Sequence, residues 1–352
     1  MKKYELIKEA GTSLLRLQTL RSFGDVKIGD LGGLVESEAN LSQDGNAWVY
    51  GNAMVCGDAK VCGDAKVCGD AKVYGDAKVY GNAEVFGDAE VFGNAMVCGD
   101  AMVCGDAKVC GDAKVCGDAK VYGNVMVCGD AKVCGNAKVY GNVMVCGDAK
   151  VCGNAMVYGN AWVYGNAMVC GDAKVYGDAK VYGNAEVFGD AEVFGNAMVC
   201  GDAKVYGNAM VCGDAKVCGD AKVCGDAKVC GDARVKFGKL TTTLNNKQLQ
   251  IRHEFNIIHD LDGYYYLTKK VFIDNNRFYT KHNNIITYYD KQTTVQVVNY
   301  DDNEESACGA GIHVALPDYA FKGDTQILVK VHIDDIICFK EHKFRCKKVF
   351  VL

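Results

Sequence analysis

A glycine recurs at every sixth position from Gly45 to Gly231 without an insertion or a deletion. The repeated unit is mostly Gly-[Asp/Asn]-Ala-[Lys/Met/Glu]-Val-[Cys/Tyr/Phe], and 32 consecutive copies end at Lys236. A short fixed period of this kind indicates a solenoid, in which each repeat packs only against its neighbours. No other feature of the 352-residue chain restricts its fold as strongly.

The order of residues within the repeat predicts which side chains face the core. Successive side chains of a β-strand point to opposite faces. Because Lys at the fourth position must face water, Ala and Val face inward together and the Cys/Tyr/Phe position lies outward. Gly followed by Asp or Asn predicts a corner, since these residues adopt positive φ at low cost. Four strand residues and a two-residue corner predict one side of a parallel β-solenoid.

The pattern Val-x-Gly-[Asp/Asn]-Ala-x-Val resembles the hexapeptide repeat of left-handed parallel β-helices. The resemblance implies an all-β fold, a three-sided left-handed solenoid with three hexads in each coil. A two-sided coil of two hexads is the alternative geometry. Three hexads per coil would give about 10 to 11 coils and a length of roughly 50 Å.

The composition changes at both ends of the repeats. The stretch FGDVKIGDLGGLVESEANLSQDGNAWVYGNA resembles the segment that leads from a short β-rich cap into the coils of uncharacterised bacterial and phage hexapeptide-repeat proteins. Because the end of a solenoid exposes unpaired backbone, we expect residues 1–38 to cap a solenoid that spans 39–237. The period then stops, and residues 238–252 are expected to form a linker or exit cap.

Residues 253–352 predict a different unit, a small α+β domain. GYYYLTKKVF, TTVQVV, QILVKVHI, IICFK and KKVFVL predict strands, whereas GAGIHVALPDYAF predicts partly helical or loop structure. In chain order, DGYYYLTKKV, VVNYDDNEESACGAGIHVALPDY, ILVKVHIDDIICF and RCKKV resemble the C-terminal region of phage rapid-lysis proteins of the rII B type. This resemblance implies a viral or prophage origin and no defined reaction.

Left-handed hexapeptide helices often resemble acyl-CoA-dependent acyltransferases, so an acyltransferase is the enzymatic alternative. Such enzymes need a general base, usually a histidine, and a cleft built by insertions between coils. The hexads contain neither a histidine nor an insertion, and we predict no catalytic residue and no cofactor for them. The six histidines of the chain are His253, His259, His282, His313, His332 and His342.

Seventeen of the 20 cysteines occupy the outward repeat position. A column of thiols suits soft metals such as zinc or copper(I), but a small apolar filler that exchanges with Tyr and Phe is the interpretation we prefer. We predict no metal site there, and reduced thiols, because parallel side chains are poorly placed for a disulfide. With three hexads per coil, five of these cysteines form one surface ladder: Cys98, Cys116, Cys134, Cys152 and Cys170.

An internal duplication bears on the outward residues. Residues 67–101 recur identically as 169–203, an offset of 17 hexads, which is divisible by neither three nor two. The copy therefore falls on a different face in either geometry. We expect a face-specific binding stripe not to survive such a shift, so the outward residues are predicted to be interchangeable.

The C-terminal unit contains one candidate cluster for a metal site or a Cys/His nucleophile pair. Its members are Cys308, His313 and Cys346. No CxxC or HxxxH spacing accompanies them. Packed structural residues are the alternative interpretation, and a ligand- or metal-binding C-terminal domain remains a second alternative function.

The sequence as a whole predicts a structural or interaction protein without enzymatic activity. A net charge of −5 disfavours nucleic acid as a partner. The chain has neither an apolar run long enough to span a membrane nor a secretion-signal pattern, so we expect a cytoplasmic location, in a host cell or virion if the protein is viral. The outward Tyr, Phe, Met and Trp side chains favour a protein partner or self-association.

Overall fold

In a computed structural model the chain forms two compact units, Met1–Leu244 and Asn245–Leu352. None of the described helices is long and apolar enough to cross a bilayer. The structure describes residues 2–236, 238–240, 248, 251, 255, 262–275, 277–282, 285–297, 310–316, 323–340 and 343–352.

The repeats form a three-sided parallel β-solenoid, which confirms the predicted fold class. Lys132–Val133 pairs in parallel with Lys114–Val115 on one side and with Lys150–Val151 on the other. Three consecutive hexads therefore complete one coil, and the two-sided alternative is wrong. The coils contribute 11 strands to each of three sheets, which we name faces 1, 2 and 3.

The strands of each face stack along the solenoid in chain order. Face 1 consists of Trp48–Val49, Lys66–Val67, Glu84–Phe86, Met102–Cys104, Lys120–Gly123, Lys138–Gly141, Met156–Gly159, Lys174–Val175, Glu192–Val193, Met210–Val211 and Lys228–Val229. Face 2 consists of Met54–Val55, Lys72–Val73, Glu90–Val91, Lys108–Val109, Met126–Val127, Met144–Val145, Trp162–Gly165, Lys180–Gly183, Met198–Val199, Lys216–Val217 and Arg234–Val235. Face 3 consists of Lys60–Val61, Lys78–Val79, Met96–Val97, Lys114–Val115, Lys132–Val133, Lys150–Val151, Met168–Val169, Glu186–Val187, Lys204–Val205, Lys222–Val223 and Lys239–Leu240.

The core of the solenoid is built from the Ala and Val positions, as the alternation predicts. Ala131 and Val133 have no exposed surface, while Lys132 between them is exposed. Backbone hydrogen bonds join neighbouring coils, for example from Lys132 N to the Ala149 oxygen at 2.9 Å. Because nearly every coil buries the same small side chains, the coils stack without change of register.

Glycine makes the corner because the next coil lies directly above it. Gly135 has φ of 70°, and a Cβ added there would lie 3.0 Å from the backbone nitrogen of Gly153. The Asp or Asn that follows lies outside, where amides form ladders between coils. Asn142 Nδ2, for example, donates to Asn160 Oδ1 at 3.1 Å. The lack of space for a Cβ and the positive φ thus both require glycine at this position.

An antiparallel cap covers the first coil. Tyr4–Lys8 pairs with Leu15–Thr19, which pairs with Leu31–Val35. Leu31–Val35 then pairs in parallel with Met54–Val55, so the cap strands continue face 2. A 3₁₀ turn follows at Glu38–Asn40. The cap therefore provides backbone partners for the first strand of that face.

The second unit contains an antiparallel sheet centred on one long strand, Tyr264–Asp274. Residues 264–271 of this strand pair with the strand Thr325–His332. Ile312–Ala315 is a strand where helix or loop was expected, because Ile312 and Val314 alternate into the core. A 3₁₀ turn at Ile333–Asp335 separates two strands. The strands are Tyr264–Asp274, Arg277–His282, Ile285–Tyr288, Thr294–Gln296, Ile312–Ala315, Thr325–His332, Ile336–Lys340, Lys343–Cys346 and Lys348–Val351.

Candidate functional site

The five cysteines of the predicted surface ladder lie on face 3. Each follows a strand of that face, and these strands pair in register from Met96–Val97 to Met168–Val169. All five thiols are partly exposed and free. The structure therefore brings the five positions into one column.

Two thiols of the ladder, those of Cys116 and Cys152, have raised pKa values. Partial burial and the neighbouring Cys98 and Cys134 raise the pKa of Cys116. Burial and the adjacent Cys170 raise the pKa of Cys152 to about 11. Because the thiolate is the form that binds metals, the raised pKa values of these two thiols oppose metal binding by them at neutral pH. Across the described residues, no group of three or more His, Cys, Asp or Glu side chains is arranged to hold a metal ion.

One pair of in-register cysteines is bridged, contrary to the expectation of reduced thiols only. Cys212 and Cys230 on face 1 form a disulfide. Their Cα atoms lie 4.7 Å apart, which is within the range that a disulfide spans. Stacking of identical coils is therefore compatible with a bridge, and the geometric objection raised from the sequence does not hold at this pair.

The candidate cluster of the C-terminal unit is not brought together. Cys308 lies outside the described residues. Ile312 pairs with Cys346 and His313 pairs with Arg345, so His313 and Cys346 belong to opposite faces of the sheet. Cys346 is fully buried in the hydrophobic core, and burial raises the pKa of its thiol well above the ordinary value. Cys346 is therefore a packed core residue in this structure.

A buried lysine, Lys269, was missed by the sequence analysis. It lies on Tyr264–Asp274 in alternation with the buried Leu267 and Val271. Its Nζ donates to the His313 backbone oxygen at 2.7 Å, and burial lowers its pKa to about 8. The period-two pattern of GYYYLTKKVF places this lysine on the inward side and could have revealed it.

The surface of the C-terminal unit contains a pocket of about 370 Å³. Lys330 Nζ lies 4.6 Å from the ring centroid of Tyr264 and 5.1 Å from that of Phe350. Lys348 Nζ pairs with Asp335 Oδ2 at 3.3 Å. The pocket therefore combines aromatic walls with a lysine that has no ion pair among the described residues. Its lining residues are Tyr264, Thr294, Lys330, Asp335, Lys348, Val349 and Phe350.

The most regular surface feature is a stack of five aromatic rings on face 1, which the sequence analysis also missed. Neighbouring ring centroids are 4.8–5.0 Å apart and the rings are nearly parallel. The rings extend outward from consecutive coils, and Tyr122 is 37% exposed. The spacing that predicted the cysteine ladder also predicts this one. The rings are Tyr122, Tyr140, Tyr158, Tyr176 and Phe194, which we name the aromatic ladder.

Coils of identical core and varied surface define a parallel β-solenoid repeat protein. Residues 149–165 match the family described as the YdcK beta solenoid repeat. This match is about as long as one coil and lies in the middle of the solenoid, where the chain is similar to that family. No curated protein matches the chain.

Proposed function

We infer that the solenoid is a structural scaffold or interaction module without enzymatic activity, joined to a separate C-terminal unit. The observation that supports this function is the constancy of the coils. The same Ala and Val side chains are buried in nearly all of them, and it is the outward residues that vary. Such a unit supplies a rigid surface of fixed spacing, which is what a scaffold requires.

A groove on the solenoid also favours a scaffold over an acyltransferase. It has a volume of about 630 Å³, lies on face 3 and is formed by repeating Asp and Lys positions. Its lining includes Asp112, Asp130 and Asp148 together with Lys114, Lys132 and Lys150. The histidine that acyl transfer usually employs is not available, since the hexads contain none.

An acyl-transfer assay on the full chain tests this function. We expect no acetyl transfer from acetyl-CoA to hydroxyl or amine acceptors, and no saturable binding of acetyl-CoA by calorimetry. Turnover that is lost in Asp130→Asn and Lys132→Ala, while both variants stay folded, would establish the acyltransferase and end the scaffold proposal. Cys134→Ser, also on face 3, is the control for non-specific effects.

The pocket of the C-terminal unit favours a second candidate function, binding of a small anion with a planar group. Lys330 supplies the charge, and the rings of Tyr264 and Phe350 supply the flat walls. Binding of benzoate and of inorganic phosphate to the full chain can be measured by titration calorimetry. We expect Lys330→Met to abolish binding, with Lys270→Met as a control. Equal affinity in the two variants would refute this assignment.

We also propose a viral or prophage origin and a cytoplasmic location for the protein. A viral or prophage origin is supported by the resemblance of DGYYYLTKKV and ILVKVHIDDIICF to phage rapid-lysis proteins. A cytoplasmic location, in the host cell or in a virion, accords with the many partly exposed free thiols of the coils. A protein partner or self-association through the outward aromatic and Met side chains is the expected mode of action.

A further inference from the structure

The aromatic ladder differs from the other ring stacks of the solenoid in its length. The other stacks among the described coils contain two rings each: Tyr74–Phe92, Tyr164–Tyr182 and Phe188–Tyr206. On face 1, five rings follow one another across five coils, with Tyr158 at the centre. The ladder is therefore a continuous apolar strip in the middle of one face.

Charge is depleted at the corners that border the centre of the strip. On one border, Asn124 donates to Asn142 at 3.0 Å and Asn142 donates to Asn160 at 3.1 Å, where most other corners carry Asp. On the other border, Asn136 donates to Asn154 at 3.1 Å. A row of Tyr rings bordered by uncharged corners resembles the Tyr-rich core of a protein–protein interface.

The charges along face 1 become complementary when the face is turned end for end. Nine successive coils of face 1 have Met156 as the middle one of their fourth repeat positions. The rotation brings Lys120 against Glu192 and Glu84 against Lys228, and Met156 against itself. It also places Lys138 against Lys174, a like-charge contact that is reduced by Glu192, whose Oε1 pairs with Lys174 Nζ at 3.0 Å. The Glu192 carboxylate would be shared with Lys120 of the second copy. In chain order these positions are Glu84, Met102, Lys120, Lys138, Met156, Lys174, Glu192, Met210 and Lys228.

The same rotation matches the outward positions of the ladder. Tyr158 meets its own copy, Tyr140 meets Tyr176, and Tyr122 meets Phe194. Faces 2 and 3 lack this symmetry, because each has a single acidic residue at the fourth position of its coils, Glu90 or Glu186. Turning either face end for end therefore brings lysines together without enough acidic partners.

The internal duplication extends the ladder. Tyr74 and Phe92 stack on face 2, and their copies Tyr176 and Phe194 stack on face 1 next to Tyr158. A binding stripe made of the aromatic ladder would differ from the expectation that such a shift abolishes any face-specific stripe. The segment 169–203 thus places a ring pair, together with Glu192, on the face that also carries the stacked Tyr122, Tyr140 and Tyr158.

We propose that face 1 is the interface of a homodimer in which two solenoids pack antiparallel, with the two-fold axis at Tyr158. The proposal rests on the scaffold function, since it names a second copy of this chain as the partner. Nine coils at about 4.8 Å and a strip about 15 Å wide give roughly 600 Å² from each copy. The total of about 1,200 Å² lies at the lower limit of stable specific interfaces.

Sedimentation velocity of the full chain tests the interface. We expect wild type to be a dimer at about 10 μM, and Tyr158→Glu to weaken the dimer at least about 100-fold, because a charge enters the apolar centre. Tyr164→Glu is the matched control, since Tyr164 also stacks on a neighbouring ring but lies on face 2. It should remain dimeric. Circular dichroism must show that both variants are folded, and Tyr158→Ser provides a milder variant.

A charge exchange tests the antiparallel direction. Lys120→Glu and Glu192→Lys each place like charges together twice, so each variant should form a homodimer about 10-fold weaker than wild type. In a dimer of one variant with the other, position 120 of each chain again faces a side chain of opposite charge at position 192 of its partner. Mixing the two variants should therefore restore most of the lost affinity, and it falls short of wild type because Lys174 loses its own ion pair in the Glu192→Lys chain.

Three results would overturn the proposal. Wild type that stays monomeric up to about 100 μM removes the dimer. A dimer lost in Tyr164→Glu and kept in Tyr158→Glu moves the interface to face 2. Weakened single variants that do not recover on mixing exclude the antiparallel direction. None of these results affects the scaffold function itself, which fails only if the chain transfers acyl groups.

Discussion

The two units of the chain bury their side chains in opposite ways. The coils of the solenoid bury mainly Ala and Val, and Ala131 and Val133 represent most other coils. The C-terminal sheet buries large and varied side chains, among them Tyr265, Phe344 and the charged Arg345. In the first unit the contacts join residues one coil apart, whereas Tyr265 pairs with Val331 across most of the second unit. The stability of a repeated core is the sum of many similar contacts between neighbouring coils. The stability of a unique core depends more on each individual contact.

A charge placed in the uniform core is the strongest way to break the solenoid. We expect Val133→Asp to lower the free energy of unfolding by at least about 3 kcal/mol, because a carboxyl group without a partner would enter a dry core. Urea unfolding followed by circular dichroism measures the change. Cys134→Ser, on the adjacent outward position, should change stability by less than about 0.5 kcal/mol. Similar losses in both variants would mean that the inward and outward positions are assigned wrongly.

A methyl group at a corner tests how closely the coils stack. Gly135 and Gly231 both have positive φ, of 70° and 66°. An added Cβ meets the backbone of Gly153 at 3.0 Å in the first case and, among the residues that the structure describes, no atom within 4 Å in the second. We expect Gly231→Ala to cost about 1–2 kcal/mol through backbone strain alone. Gly135→Ala should cost at least about 1 kcal/mol more, because the next coil must move.

The same thermal or urea unfolding experiment compares the two glycine variants directly. Equal destabilisation would show that the positive φ alone, and not the close approach of the next coil, requires glycine at the corners. A neutral Gly231→Ala would show instead that strain at this φ is relieved near the end of the coils.

The solenoid can be predicted from the sequence because the residue pattern of each hexad determines which side chains face the core. Ala and Val alternate with Lys, and Gly with Asp or Asn turns the corner, so one unit determines all 32 copies. The cap is recognisable from the backbone that a solenoid end exposes. The stacking of Tyr158 between Tyr140 and Tyr176 follows from the same period and could have been predicted. The choice of face 1 as the proposed dimer interface depends on the order of charges along each face, and that order can be read only once three hexads per coil are established.

The C-terminal unit is less predictable because its partners are far apart in the chain. The candidate pair His313 and Cys346 is close in the sheet, yet the pleat directs the two side chains to opposite faces. A register that pairs Ile312 with Cys346 is set by long-range contacts and not by local pattern. The inward Lys269 could be found from alternation, but its acceptor, the His313 backbone oxygen, could not.

Titration of Lys269 gives the smallest and most specific test of the unique core. Burial lowers the pKa of Lys269 from 10.5 to about 8. Between these values the unfolded chain binds a proton at this lysine that the folded chain does not bind, so stability rises with pH, and below about pH 8 this dependence vanishes. From pH 8 to 9 the gain relative to Lys269→Met should be about 1 kcal/mol.

Two groups near Lys269, those of Cys346 and Tyr289, lower the stability of the folded state as the pH rises further. The test is therefore restricted to about pH 8 to 9. Burial raises the pKa of Cys346 above its ordinary 9.0 and that of Tyr289 to about 12, so the folded state loses stability as the unfolded thiol and phenol ionise. The full chain can be equilibrated in urea at each pH and given a short alkylation pulse at one fixed pH. Labelling of Cys346, which is fully buried when folded, then reports the unfolded fraction of this unit. A wild-type profile parallel to that of Lys269→Met between pH 8 and 9 would show that Lys269 is solvated, and that the C-terminal core is less dry than the core of the solenoid.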